Sequence, residues 1–362
     1  MKVTAINGQP VGENPVSFKA LEKITAEGEV LDVSGQLATD FTGIVNPTVK
    51  DSKMTVTCLK NNNQDDSPAF TFTDYPNTIF IGNDSVRNGK FSFTFTVPKD
   101  ISYSNLQGKM NLYAVDTESG NEAQGNFDNF IIGGTSDTAE TDTIGPEIRA
   151  LYLNDTTFVD GGQVNTTPYF VAELWDKSGV NITGSSVGHD MMLVIDESTV
   201  LSYNLNSYYE LLPGEDGTGI VKFPIPALEP GKHTAEFWVW DILNNSTVRT
   251  FTFEVVEGLK PFLFDVIATP GIAREQVTFH LMHNRPESRM RVGIMVYDLA
   301  GRQLWKHEES GTSGLFGNYT VSWDLTSGGA RMRPGVYIYR AAISTDNSKD
   351  ATKARKFIIL GE

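Results

Sequence analysis

Apolar and polar side chains alternate at every second residue along most of this chain, and this limits the fold more than any other feature. Phe91, Phe93, Phe95 and Val97 alternate with Ser92, Thr94 and Thr96, and Phe251, Phe253 and Val255 do the same around Thr252 and Glu254. A period of two turns one face of a strand to a core and the other to water. Helical periodicity is scarce, and residues 18–25 are the one stretch predicted as a short helix. The 33 glycines and 16 prolines are dispersed rather than clustered, as turn punctuation between many short strands would be. With 40% hydrophobic and 10% aromatic residues, the chain can build packed interiors.

At 362 residues it is too long for one ordinary sandwich. The run 133–146 is polar, acidic and turn-rich, as linkers are, and a second break falls near 257–261, just after the strand ending at Val255. The expectation is an all-β chain of three consecutive β-sandwich domains, the last two immunoglobulin-like. They would occupy 1–134, 146–258 and 259–362, with an acidic linker at 135–145. In the last domain, residues 291–297 and 303–307 are predicted to form a hairpin about the turn 298–301, followed by strands at 319–325, 335–343 and 356–360. The N-terminus reads as a strand entering a glycine turn, without a signal peptide, so a cut from a longer protein is expected.

Charge excludes some partners. A net charge of −16 repels phosphate backbones, so no nucleic acid is expected as a ligand. No apolar run approaches the length of a membrane span. A single cysteine, Cys58, allows no internal disulfide or thiolate zinc cluster. Cys58 is in step with Met54 and Val56, so its side chain is predicted to point into a core, and no histidine precedes His189. No catalytic residue is assigned.

Metal ligands are sought first among the five histidines. His280 and His283 should face opposite ways on a strand, and no HExxH occurs. The acidic turns offer harder ligands. Asp155, Asp160, Asp176, Asn181, Asp190, Asp241, Asn244 and Asn245 could gather at the ends of the middle sandwich. Of these, Asp176, Asn181, Asp241 and Asn245 are the candidates for Ca²⁺, since 174–181 and 238–245 each end an aromatic strand in an Asp and an Asn-containing turn. The competing reading is that these residues bond their own backbone as Asx turns and hold no cofactor. Trp175, Trp238, Trp240, Trp305 and Trp323 could line a sugar platform, though core packing is the simpler use. No P-loop, Rossmann fingerprint or GxSxG elbow is present.

Longer runs carry a resemblance. Residues 296–302, 323–325 and 334–340 (VYDLAGR, WDL, PGVYIYR) resemble the immunoglobulin-like C-terminal domains of secreted Bacteroidetes proteins and the related domain of flagellar hook-cap assembly proteins. Residues 80–91, 97–101, 154–170, 176–181 and 188–190, taken in order, resemble the region after the peptidase domain in type IX secretion system sortases (PorU-type), relatives of the gingipain cysteine peptidases. That family's Cys–His dyad lies in an α/β domain that nothing here matches, so its catalytic residues fall on no position of this sequence. The resemblance implies a cell-surface parent that removes C-terminal sorting signals from secreted cargo and joins the cargo to lipopolysaccharide. This chain would be its non-catalytic structural and interaction region. Its implied partners are the upstream peptidase domain, an outer-membrane secretion component or the cargo. A surface adhesin or carbohydrate-binding protein is the alternative.

Overall fold

A computed structural model describes residues 1–59, 68–137, 141–184, 188–212, 217–314, 317–345 and 347–360. The chain is all-β, built as β-sandwich domains, and among the described residues a 3-10 turn at Asn206–Tyr208 is the only helical element. It divides into two compact units. The first holds Met1–Ala150, Ala172–Val221 and Ala235–Thr250; the second holds Leu151–Val171, Lys222–Thr234 and Phe251–Glu362. No described helix is long and apolar enough to cross a membrane.

The first unit opens with fourteen strands: β1 (Lys2–Ile6), β2 (Gln9–Pro10), β3 (Val16–Ala20), β4 (Lys23–Glu29), β5 (Gly43–Lys50), β6 (Met54–Thr57) and β7 (Thr71–Asp74). Next come β8 (Thr78–Ile81), β9 (Asp84–Arg87), β10 (Lys90–Thr96), β11 (Leu106–Gln107), β12 (Lys109–Asp116), β13 (Glu122–Phe127) and β14 (Phe130–Thr135). One sheet runs β13-β12-β5-β9-β10-β4-β1-β2, with β8 also on β5, and a second runs β11-β14-β3. Alternation decides which faces meet. Phe91, Phe93 and Phe95 of β10 are buried while Ser92 and Thr94 are exposed. Phe18 of β3 stacks on Phe130 of β14 at 4.4 Å and meets Phe95 edge-on at 6.1 Å, so aromatic rings join the two sheets.

The helix predicted over 18–25 is absent. Phe18 and Ala20 are buried around an exposed Lys19, which is strand alternation. Leu21 then takes a φ of 63°, which reverses the chain into β4. The eight-residue pattern held two short strands and their turn.

Cys58 is also corrected, because it is exposed. Strands β6 and β7 pair only with each other, as a two-stranded ribbon. A two-stranded ribbon has no interior of its own, so among the described residues the period-two signal that implied a core face here has nothing to face. Leu59, Phe70 and Phe72 are exposed on the same ribbon, at 82%, 70% and 40%.

The rest of the first unit includes antiparallel ladders of Met192–Ile195 with Ala235–Trp238, and of Tyr209–Leu211 with Gly219–Val221. In the second unit, Gln163–Val164 runs parallel to Glu254–Val255.

The second unit ends in a sandwich. One sheet has Val277–His283 between Leu263–Thr269 and Asn318–Trp323. The other orders Ile272–Ala273, Ala351–Ile359, Gly335–Ser344, Arg289–Tyr297 and Gln303–Thr312. The predicted hairpin is present and longer than expected, with Val296 opposite Trp305. Its turn is fixed by Asp298, whose Oδ1 accepts from the amides of Ala300 (3.0 Å) and Arg302 (2.8 Å). Phe279, Tyr339, Phe357 and Trp323 fill the interior, and the Tyr339 hydroxyl donates to the Val266 carbonyl at 2.9 Å, tying the sheets together. His280 is half-buried and His283 buried, on opposite faces of their strand.

Candidate functional site

Polar side chains concentrate where aromatic strands of the first unit end. Asp176 follows the strand Tyr169–Trp175, and Asp241 follows Gly231–Trp240. Each carboxylate closes its own turn. Asp176 Oδ1 accepts from the amides of Ser178 (2.7 Å) and Gly179 (2.8 Å), and Asp241 Oδ1 accepts from those of Leu243 (2.9 Å) and Asn245 (2.7 Å). A bridge between Val180 and Asp241 sets the two turns side by side.

A third carboxylate joins them from the acidic run between 133 and 146. Asp142 accepts from the Ile144 amide (3.0 Å) and the Ser178 hydroxyl (2.8 Å), so carboxylate oxygens of Asp142, Asp176 and Asp241 lie within 4.8 Å of one another. Asn245 stitches the group, its Nδ2 donating to Asp241 Oδ2 (2.6 Å) and to the Asp142 carbonyl (3.1 Å). Asp176 and Asp241 are 5% and 0% exposed. Burial pushes the Asp176 carboxyl up to about 6 against the pull of its backbone bonds, and the charges of Asp241 and Asp142 add to the rise. Asp241 shifts upward too, chiefly from burial, whereas the Ile144 amide and Ser178 hydroxyl hold Asp142 below its usual range.

Of the four Ca²⁺ candidates, the structure brings Asp176, Asp241 and Asn245 together and places Asn181 elsewhere. Asn181 Oδ1 accepts from the Thr183 amide and hydroxyl. Asp155 closes a local turn through Thr157, Asp160 accepts from the amide and hydroxyl of Thr252 on the strand Ser246–Val255, and Asp190 bonds Asn206. The three carboxylates could hold a hard cation, but Ca²⁺ takes six to eight oxygens. The Asx-turn bonds and Asn245 account for the cluster as it stands.

A second group centres on Asp100, which is 9% exposed. It takes His189 Nδ1 at 2.6 Å, Asn244 Nδ2 at 2.9 Å and Asn181 Nδ2 at 3.3 Å, while His189 packs on Trp240 with centroids 4.5 Å apart. Next to it, the Lys99 amide donates to the Ile242 carbonyl at 2.8 Å. Asp100 and Asp142 went unnoticed in the sequence because each sits in an ordinary polar loop, far along the chain from its partners.

Among the described residues no histidine hydrogen-bonds the Cys58 thiol. The five tryptophans are buried or half-buried, with Trp305 stacked on Trp323 at 4.4 Å.

Fold and site together define an all-β chain of β-sandwich domains with buried carboxylate turns. No protein-family model matches it, and no curated protein does. Among solved structures it is similar to the dimeric latent PorU of Porphyromonas gingivalis, with 37% identity and a TM-score of 0.44, over 100% of this chain and 34% of that one. The chain thus spans about a third of that protein's length. It is also similar to the N-terminal Ig1-2 module of the Drosophila receptor protein tyrosine phosphatase DLAR (10%, TM-score 0.24, 60% of this chain and all of that one). A third likeness is to Bacteroides ovatus SGBP-B, solved with a mixed-linkage heptasaccharide (8%, TM-score 0.26, 99% and 70% covered).

Proposed function

We propose that this chain is the non-catalytic, supporting β region of a cell-surface sortase of the type IX secretion system, arranged as sandwiches at 1–134, 146–258 and 259–362. The carrying observation is where the runs that resemble that family fall. Residues 80–91 form the β8–β9–β10 corner, 97–101 deliver Asp100, 176–181 form the Asp176 turn, and 188–190 deliver His189. The runs 97–101, 176–181 and 188–190 meet at the Asp100 carboxylate, which receives His189 and Asn181 together with Asn244. In this reading they fix one sandwich against the next, and the edges and loops are left to hold the peptidase domain and its cargo.

The adhesin or carbohydrate reading draws less from the geometry, since a stacking platform needs exposed aromatic faces. The test is co-expression of this chain with the peptidase domain of its parent. A one-to-one complex on size exclusion, and cleavage of a sorting-signal peptide only when the peptidase is present, are expected. Cleavage by this chain alone, or a parent gene without a peptidase domain, would overturn the reading.

A further inference from the structure

The large sheet of the first unit comes apart along one seam. Strands β9 and β10 form a hairpin paired only at Lys90↔Arg87 and Phe91↔Val86. Beyond that point β10 keeps β4 on one side, with Ser92 opposite Glu27 and Thr96 opposite Lys23. Its other edge is without a ladder partner among the described strands. Across the seam, β8 follows β5 instead, with Thr48↔Ile81 and Val49↔Phe80. Had the hairpin register continued, Thr94 would face Asn83 and Thr96 would face Ile81.

Gly82 and Asn83 cause the parting. The Gly82 amide donates to the Pro47 carbonyl on β5 at 3.1 Å, and a Cβ at Gly82 would stand 2.4 Å from the Phe80 ring. Asn83 Nδ2 donates away from β10, to the Leu211 carbonyl at 2.7 Å. On the core side Phe80 stacks on Phe95 at 4.9 Å, which seals the floor. The two edges therefore flank a cleft of about 720 Å³, with Tyr209, Leu211 and Ile242 lining it as well. Unpaired strand edges left open are templates for another strand, and a cavity of this size takes a short peptide. Five residues of β10 at about 3.4 Å each offer roughly 17 Å of edge.

Charge says what kind of strand. The protein carries −16 overall, yet Lys23, Arg87 and Lys177 line the cleft against Asp84 and Asp176. We propose that this fork docks an extended segment of a partner polypeptide, added as a strand beside β10 and bearing at least one carboxylate side chain. Main-chain bonds to β10 would supply register, and Lys23 and Arg87 the preference for an acidic residue. The inference does not depend on the sortase reading.

The test uses the full chain and a pool of fluorescein-labelled hexapeptides of alternating valine and threonine, with one aspartate placed in turn at each threonine position. Hydrogen exchange is expected to show slowed amides within residues 92–96 when the peptides are present, with saturable anisotropy. N-methylation of alternate peptide amides should abolish binding, and lysine in place of aspartate, or the variant Lys23→Glu/Arg87→Glu, should weaken it about tenfold. Circular dichroism of the variant checks its fold. Three results would overturn the proposal: no peptide in the pool protecting 92–96, equal binding of N-methylated peptides, or equal affinity in the charge variant. Concentration-dependent protection without peptide, with a dimer in light scattering, would give the slot to a second copy and also refute it.

Discussion

Replacing Asp176 with asparagine should make the protein more stable at neutral pH and less sensitive to pH. Asp176 Oδ1 is already committed to the amides of Ser178 and Gly179, and an asparagine Oδ1 can keep both bonds. What the substitution removes is a buried charge beside two others. The folded-state pKa of about 6 lies above the 3.8 of an ordinary aspartate, so between these values the folded protein holds a proton that the unfolded chain has lost. Stability from this group is therefore full below pH ~4, falls as pH rises through ~6, and stays lost above. A rise of this size corresponds to about 3 kcal/mol at the ceiling, and screening by the polar turn around the carboxylate reduces it to about 1–2 kcal/mol. Urea unfolding followed by tryptophan fluorescence between pH 4 and 8 measures it. The wild type should lose stability across that window, and Asp176→Asn should lose less, keeping a residual slope because Asp241 shifts in the same direction and remains. If both proteins show the same slope and the same stability at pH 7, the account of three crowded carboxylates is wrong.

Further outcomes follow from other sites. Phe357→Ala should cost about 3–5 kcal/mol, as expected for emptying a fully packed ring position, read as a lowered urea midpoint of the C-terminal sandwich. Asn245→Ala leaves Asp241 Oδ2 and the Asp142 carbonyl without their donor and should destabilise by about 1–3 kcal/mol in thermal melts. Burial, reinforced by Arg285, holds His283 down at about 4, so its ring should remain neutral by NMR at pH 5. The stability it contributes is present above pH ~6.5 and is lost as pH falls toward 4. Cys58 should react with a thiol reagent in the native protein at a rate close to that of a free thiol, and Cys58→Ser should change stability by less than about 0.5 kcal/mol.

The strands were legible because each carries its own periodicity: Phe91-Phe93-Phe95 announces β10 whatever lies next to it. So was the hairpin around Asp298, whose turn chemistry is local. Failures came where meaning depends on distant chain. Alternation at Met54, Val56 and Cys58 is the same whether a second sheet covers the strand or not, and among the described residues none does. Residues 18–25 carry too few periods to separate a helical turn from two strand ends, and Leu21 gives no residue-type warning of its positive φ. Within the carboxylate cluster, Asp176 and Asp241 stand out as turn residues after aromatic strands. Asp142, in a Thr-Asp-Thr run, reads as linker, and only three-dimensional structure shows that its carboxyl reaches Ser178. The seam between β8 and β10 has no signature beyond a single Gly-Asn pair.

The parallel match of β14 with β3 sets an order of events for the newborn chain. Phe130 lies opposite Val16 and Ile132 opposite Phe18, so an early strand waits for one made more than a hundred residues later. Until then Phe18 has no lid, and the sheets it joins cannot close, because pairings this remote must first overcome loop-closure entropy. Closure of this interior therefore depends on a strand that lies far down the chain from the one it completes.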